Sequence, residues 1–218
     1  MKFKVVTLFP EFIDSLRDYS IIGRALKNNT IKLETINIRD FGLGRHKQVD
    51  DKPYGGGVGM LLKVDVLHAA IKKAAPRKSA KRKVILLSPE GRTFDQSVAT
   101  ELSKLDEIVL VCGHYEGFDR RIDNYVDDKI SIGEYVLSGG EIAALAIIDT
   151  VSRLKNGVLG KDESKEVESF SIINNKQILE HPQYTRPESY EGENVPEILL
   201  SGHHKQIDEW QKDHQTKL

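Results

Sequence analysis

Four short apolar runs limit what this chain can become. They are residues 2–9 (KFKVVTLF), 31–38 (IKLETINI), 83–88 (KVILLS) and 107–112 (EIVLVC). Residues 31–38 alternate cleanly between apolar and polar, the period of a strand. The stretches between the runs have helical spacing. Residues 11–27 place Phe12, Ile13, Leu16, Ile21, Ile22 and Leu26 on one face. Residues 63–75, 94–104 and 141–154 also read as helices. A short helix is expected at 118–126, a short strand at 129–132, and an end to the third strand at Pro89 and Gly91. Strands that alternate with helices make a parallel or mostly parallel α/β sheet. Ligands of such sheets sit beyond the carboxyl ends of the strands. Three loops at such ends carry glycine: SPEG at 88–91, GHYEG at 113–117 and SIGEYVLSGGE at 131–141. Together they suit a small flat ligand held by backbone groups.

Length and composition narrow the class. At 218 residues the chain fits one large domain, or one domain with a small appendage. With 39% apolar and 30% charged residues it can bury a core of ordinary size. No run is as long as a membrane span, and MKFKVVTLFPEF lacks the apolar region and cleavage site of a secretion signal. The single cysteine, Cys112, excludes an internal disulfide and a multi-cysteine zinc site. These features predict a cytoplasmic protein. The net charge of −1 hides an asymmetry. Residues 1–90 hold 18 Lys/Arg and 9 Asp/Glu, and residues 91–218 hold 14 and 24. A basic half can favour a polyanion, but a solvated lysine-rich surface explains most of it. Only the cluster from Arg77 to Lys83 (RKSAKRK) resembles an anion patch.

Several segments read as irregular. A loop as long as 39–61 is usually functional or disordered. Its GGGVGM is not a Walker loop, because Met60 and Leu61 follow Gly59 where Lys and Ser or Thr are needed. A flexible substrate loop fits better, with Asp50, Asp51 and Tyr54 beside it. Residues 156–170 are polar and acidic and read as a mobile linker. Residues 171–218 read as a small, mostly helical appendage, with a helix start at Pro196 and Glu197 and a break near Gly202. EHPQYTRPESY, with Glu180, Tyr184 and Arg186, is either a proline-rich bridge or a substrate lid. His181, His203 and His204 have no convincing metal spacing.

The set TLFPEF, VDDKPYGGGVGM, LLSPEGRTFDQ, GHYEGFDRR, SIGEYVLSGGE, RLKNGVLG, HPQYTRPE and PEILLSGHH, in this order, closely resembles the bacterial tRNA (guanine-N1)-methyltransferases of the SPOUT superfamily, from residue 1 to about 210. The resemblance implies an α/β methyltransferase domain at 1–155 with a deep trefoil knot, a rarity among folds. It implies a linker at 156–170 and a small helical tRNA-binding domain at 171–218. It further implies a homodimer with shared active sites, S-adenosyl-L-methionine as cofactor, tRNA as substrate and a dependence on magnesium, for which the sequence offers no clear ligand cage.

Site residues carry over by position. Leu86, Leu87, Ser88 and Pro89 would form one cofactor loop; Gly113, Tyr115 and Gly117 a second; a third would begin at Ser131, with Ile132, Gly133, Tyr135, Val136 and Leu137 as the adenine wall. Gly139 and Gly140 would permit close approach. Glu116 would recognise the target guanine, Arg153 would lie near its developing negative charge, and Glu180 would take its N1 proton. Asp50, Tyr54, Gly59 and Arg186 would contact tRNA. The chain departs from the family pattern at Glu180 (usually Asp), Val58 (usually Pro), Glu90 (usually Gln) and Arg120 (usually an acid), and it ends soon after Trp210. A SPOUT-type RNA-binding module that has lost catalysis and a small-molecule nucleotide enzyme are the competing classes. Glu116, Arg153 and a carboxylate at 180 speak against the first, and the missing Walker and dinucleotide patterns against the second.

Overall fold

The computed structural model describes residues 1–159, 169–170, 172–173 and 176–217. The chain divides into two compact units, Met1–Gly160 and Lys161–Leu218.

In the first unit the elements run β1 (Lys2–Thr7), α1 (Pro10–Asp14), α2 (Ser20–Lys27), β2 (Lys32–Asn37), β3 (Asp50–Asp51), β4 (Leu61–Leu62), α3 (Val64–Ala74), β5 (Arg82–Thr93), α4 (Gln96–Ser103), β6 (Glu107–Cys112), β7 (Asp128–Ser131) and α5 (Glu141–Arg153). Five strands form one sheet in the order β2-β1-β6-β5-β7, and every neighbouring pair is parallel. The apolar runs explain this. Successive side chains of a strand point to opposite faces, and both faces here are covered. Phe3, Val5, Ile85, Leu87, Ile108 and Leu110 pack with α2, α4 and α5. Val6, Val84, Leu86, Val109 and Val111 pack with α3. Burial of each such side chain stabilises the fold by about 1.5–3 kcal/mol before chain entropy is counted.

Two expectations need correction. The helix expected over 11–27 is broken into α1, a 3-10 turn at Ser15–Asp18 and α2. Arg17 donates from Nε to Asp14 and from Nη2 to the Leu33 carbonyl, which holds the chain in the turn. Gly23 lets that turn fold back, since a Cβ there would lie 2.8 Å from the Arg17 carbonyl oxygen. The strand expected to stop at Pro89 and Gly91 continues to Thr93. It pairs with β7 twice, through Ile85, Leu86 and Leu87 and again through Arg92 and Thr93, with a register shift between. A Cβ on Gly91 would collide with the Ile130 backbone, so the glycine marks a close crossing rather than a strand end. The short helix expected within 118–126 is present as a 3-10 helix, Arg120–Tyr125. Within the 39–61 loop, β3 pairs antiparallel with β4, which ties the middle of the loop to its carboxyl end.

The second unit holds β8 (Ile172–Ile173), β9 (Lys176–Leu179), β10 (Ser189–Tyr190), β11 (Glu193–Asn194), α6 (Glu197–Leu200), α7 (His204–Asp213) and β12 (Thr216–Lys217). The order β12-β9-β8 makes a small antiparallel sheet, and β10 and β11 form a hairpin. The helix after Pro196 and the break at Gly202, which has φ 71°, lie where the sequence suggests. The short strands add β structure to an appendage expected to be mostly helical. Much of the linker expected at 156–170, residues 160–168, lies outside the described residues.

Candidate functional site

A cleft of about 240 Å³ opens at the carboxyl ends of β6 and β7, beside the middle of β5. That is where an α/β sheet binds ligands. From β5 come Leu87, Ser88 and Pro89. The loop after β6 gives Gly113, Tyr115 and Gly117, and the end of β7 gives Ser131, Ile132 and Gly133. The segment leading into α5 gives Tyr135, Val136, Leu137, Gly139 and Gly140. All were marked from the sequence, and the fold brings them to one place. Leu86 is the exception. It is fully buried and faces the α3 side of the sheet, because its neighbour Leu87 takes the other face. The sequence reading missed His114, Phe118, Ile130, Ser138 and Ala143, which also line the cleft. His114 and Phe118 stand inside the quoted GHYEGFDRR, so the motif held the signal.

Close packing explains the glycines. The Gly140 amide donates to the Gly113 carbonyl at 2.9 Å, and His114 forms an antiparallel bridge with Gly139. A Cβ on Gly140 would lie 2.8 Å from Cys112 Cα, and one on Gly113 would lie 2.6 Å from the Phe118 ring. The chain after β7 therefore returns past β5 and seats against the end of β6. Gly133, with φ 154°, turns the chain beside Ser131, whose hydroxyl accepts its amide at 3.3 Å. Tyr135 donates its hydroxyl to the Ile132 carbonyl at 3.2 Å. Apolar side chains at Leu87, Ile130, Ile132 and Leu137, with backbone amides and carbonyls between them, suit a flat ring with a polar edge. Cys112 lies buried behind this wall; burial pushes its thiol well above the ordinary range, and the Glu141 charge adds to that.

The glycine-rich loop docks on the cleft rim. The Leu62 amide donates to the Gly117 carbonyl at 3.0 Å, Asp119 donates to Leu62 at 3.1 Å, and Glu116 donates to Met60 at 3.1 Å. A Cβ on Gly59, already at φ 89°, would strike the Glu116 side chain. Two marked residues from distant motifs, Gly59 and Glu116, thus meet, and Glu116 lines the cleft. Asp50 is in β3 opposite Leu62, and Tyr54 is fully exposed on the loop. Neither lines the cleft.

Two departures from the family pattern also meet. Arg120 forms an ion pair with Glu90, which Lys129 Nζ approaches at 3.1 Å. Hydrogen bonds from Lys129 first and Arg120 second hold the Glu90 carboxyl below its ordinary range. The pair links the Arg120–Tyr125 turn to β5.

Three marked residues remain. Arg153 ends α5, roughly 15 Å along the axis from Ala143 at the cleft. Glu180 and Arg186 belong to the second unit, and both are exposed. The Glu180 amide donates to Ser169 Oγ at 3.2 Å. In the same unit Trp210 stacks on His214 at 4.0 Å and has Tyr184 at 6.4 Å. Among the described residues no group of three or more His, Cys, Asp or Glu is placed to hold a metal ion. No described helix is long and apolar enough to cross a membrane.

A family model described as tRNA (Guanine-1)-methyltransferase TrmD matches residues 1–218. Curated relatives named tRNA (guanine-N(1)-)-methyltransferase are similar over nearly the whole chain. That of Clostridium beijerinckii (strain ATCC 51743 / NCIMB 8052) is 52% identical over 212 residues, 97% of this chain and 86% of the relative. That of Clostridium perfringens (strain 13 / Type A) is 52% identical, with 97% and 87% covered. That of Clostridium botulinum (strain Hall) is 51% identical, with 97% and 85% covered. A match of this extent leaves one assignment: the chain belongs to the tRNA (guanine-1)-methyltransferase family.

Proposed function

We propose that the protein transfers a methyl group from S-adenosyl-L-methionine to N1 of the guanosine at position 37 of tRNA, where guanosine 36 precedes it. The observation that carries this reading is the cleft. Three glycine-bearing loops converge there on a space with apolar walls and backbone polar edges, in a chain of this family. Leu87, Ile132 and Leu137 would hold the adenine, and Gly139 and Gly140 let the backbone close on it.

The chemistry divides among the chain's own residues. Guanine N1 carries a proton near neutral pH and is a poor nucleophile until it is lost. Glu180 receives that proton, a step worth about a hundredfold or more. Arg153 faces the negative charge that moves toward O6. Glu116, on the cleft rim beside Gly59, selects the base, and Asp50, Tyr54 and Arg186 contact the tRNA. When bound, the cofactor supplies an already activated methyl group, so alignment of donor and acceptor is the protein's main task. The magnesium implied by the resemblance has no ligand cage among the described residues.

The reading includes a homodimer with shared sites. Its supports are the distance of Arg153 from its own cleft and an apolar groove beside it, where Phe9 is 37%, Phe12 46% and Ile142 50% exposed. It also includes the deep trefoil knot, supported by the return of the chain from β7 past β5 to β6. Residues 171–218 are assigned to tRNA binding, and the cytoplasm, where tRNA is modified, is the expected location.

The test is methyl-labelled cofactor with a tRNA transcript bearing guanosine at 36 and 37, and with transcripts in which either is replaced. Transfer that requires guanosine 37 supports the proposal. No transfer in the presence of magnesium overturns it.

A further inference from the structure

We propose that Glu141, together with Thr7, is a positioning residue for the cofactor wall. The proposal rests on the reading of the cleft as the S-adenosylmethionine site.

Glu141 is the first residue of α5 and is only 7% exposed. Its carboxylate forms no ion pair among the described residues. Taking such a group out of water is costly unless hydrogen bonds compensate. Thr7, fully buried at the end of β1, donates its hydroxyl to Glu141 Oε1 at 2.6 Å. The same hydroxyl oxygen accepts the Phe9 amide at 2.9 Å. Its donor and acceptor roles are therefore both fixed, with the proton toward the carboxylate. The distance is that of a hydrogen bond to a charged oxygen, and the amino end of α5 adds further support for a negative charge.

The second carboxylate oxygen explains what the arrangement is for. A Cβ on Gly139 would collide with Glu141 Oε2, and it would lie 3.0 Å from His114 Nδ1. That nitrogen is buried and has no hydrogen-bond partner among the described residues. Carboxylate and imidazole thus flank one backbone position. The loop after β6 holds the same turn through the Gly140 amide. Gly139 and Gly140 close the wall that would carry the adenine. A wall made of backbone recognises its ligand only where the backbone is fixed, and here the fixing point is a carboxylate tied to the central part of the sheet. Thr7 does not line the cleft. Its hydroxyl reaches the wall directly through Glu141, and also holds the amide of Phe9, whose ring packs edge-on against His114 at 5.1 Å, so Glu141→Gln isolates the carboxylate's share.

The test uses Thr7→Val, which removes the hydroxyl at constant shape, Thr7→Ser, which keeps it, and Glu141→Gln. Calorimetry reads S-adenosylhomocysteine affinity of the full chain, steady-state kinetics reads the KM for tRNA, and a melt reads folding. Thr7→Val and Glu141→Gln are expected to raise the S-adenosylhomocysteine Kd about tenfold, the equivalent of one hydrogen bond to a charged group. Thr7→Ser is expected to recover most of it, and the KM for tRNA should stay within about twofold of wild type on the same scale of affinity. A lowered melting temperature with unchanged Kd in both folded variants would mean a purely structural anchor and overturns the proposal. So would equal losses in Thr7→Ser and Thr7→Val. If Thr7→Val does not fold, Glu141→Gln against wild type decides the point. A wild-type protein that binds no S-adenosylhomocysteine would instead remove the cofactor reading beneath it.

Discussion

The Gly140 amide donates to the Gly113 carbonyl at 2.9 Å, and this bond joins the second and third glycine loops into one wall. Gly140 has no room for a side chain, because a Cβ would lie 2.8 Å from Cys112 Cα and 3.0 Å from the Gly113 nitrogen. Both obstacles are backbone and cannot rotate away. Gly140→Ala is therefore expected to weaken cofactor binding by tenfold or more, roughly 1.4 kcal/mol. Calorimetric titration with S-adenosylhomocysteine measures it, and unchanged affinity would take this loop out of the site.

On the roles proposed above, a change at Gly59 should separate base recognition from cofactor binding. Its φ of 89° and its contact with Glu116 both oppose a side chain. Gly59→Ala should displace Glu116 and lower kcat/KM for tRNA by about tenfold, on the order of one strained backbone position. The S-adenosylhomocysteine Kd should not change, since Gly59 does not line the cleft. A rise in that Kd of similar size would show that the two functions are not separable here.

Glu180 is expected to matter only for chemistry. Glu180→Ala should lower kcat by about a hundredfold or more, while cofactor affinity and the KM for tRNA stay near wild type. Glu180→Asp keeps a carboxylate on a side chain one methylene shorter and should keep most turnover. Normal turnover in Glu180→Ala, read under single-turnover conditions, would require another base.

The fold carries its own acid-sensitive link. Glu101 of α4 accepts from Arg92 Nη1 at 2.8 Å and from Lys83 Nζ at 2.7 Å. These bonds, Arg92's first, hold its carboxyl at about 2, against an ordinary value of 4.5. A carboxyl whose folded value is lowered stabilises the fold above its unfolded value and loses that effect as pH falls. Stability is thus expected to drop as pH goes from 4.5 toward about 2. The side chain is nearly half exposed, so salt should weaken the effect. Urea midpoints across this range should fall more steeply for wild type than for Glu101→Gln. Parallel curves would contradict the assignment.

What could be read from the chain depended on how local the cause was. Both faces of the sheet are buried, so the strands appear as apolar runs with helices between them, and the parallel sheet followed. The glycine loops were legible for the same local reason. Leu86 was misplaced because a loop was marked as a continuous stretch, while a strand alternates its faces; the neighbouring Leu87 reaches the cleft and Leu86 cannot. The break in the 11–27 helix depends on Arg17 reaching Leu33 and on Gly23 meeting the Arg17 carbonyl, and apolar spacing carries no trace of either. The passage of β5 through Pro89 and Gly91 depends on β7 crossing there, a partner nearly forty residues on. Thr7 and Glu141 were invisible as a pair, since only the fold brings β1 to the start of α5. The pairing of Arg120 with Glu90 likewise appears only when both departures are seen in space.

The most direct measurement is the position of the new methyl group. A tRNA transcript with guanosine at 36 and 37 is incubated with the protein, S-adenosylmethionine and magnesium, then digested to nucleosides for mass spectrometry, with primer extension on the intact product. N1-methylguanosine, with extension arrested beside position 37, is the predicted result. Unmodified transcript, or a methyl group on another atom or another nucleotide, would contradict it.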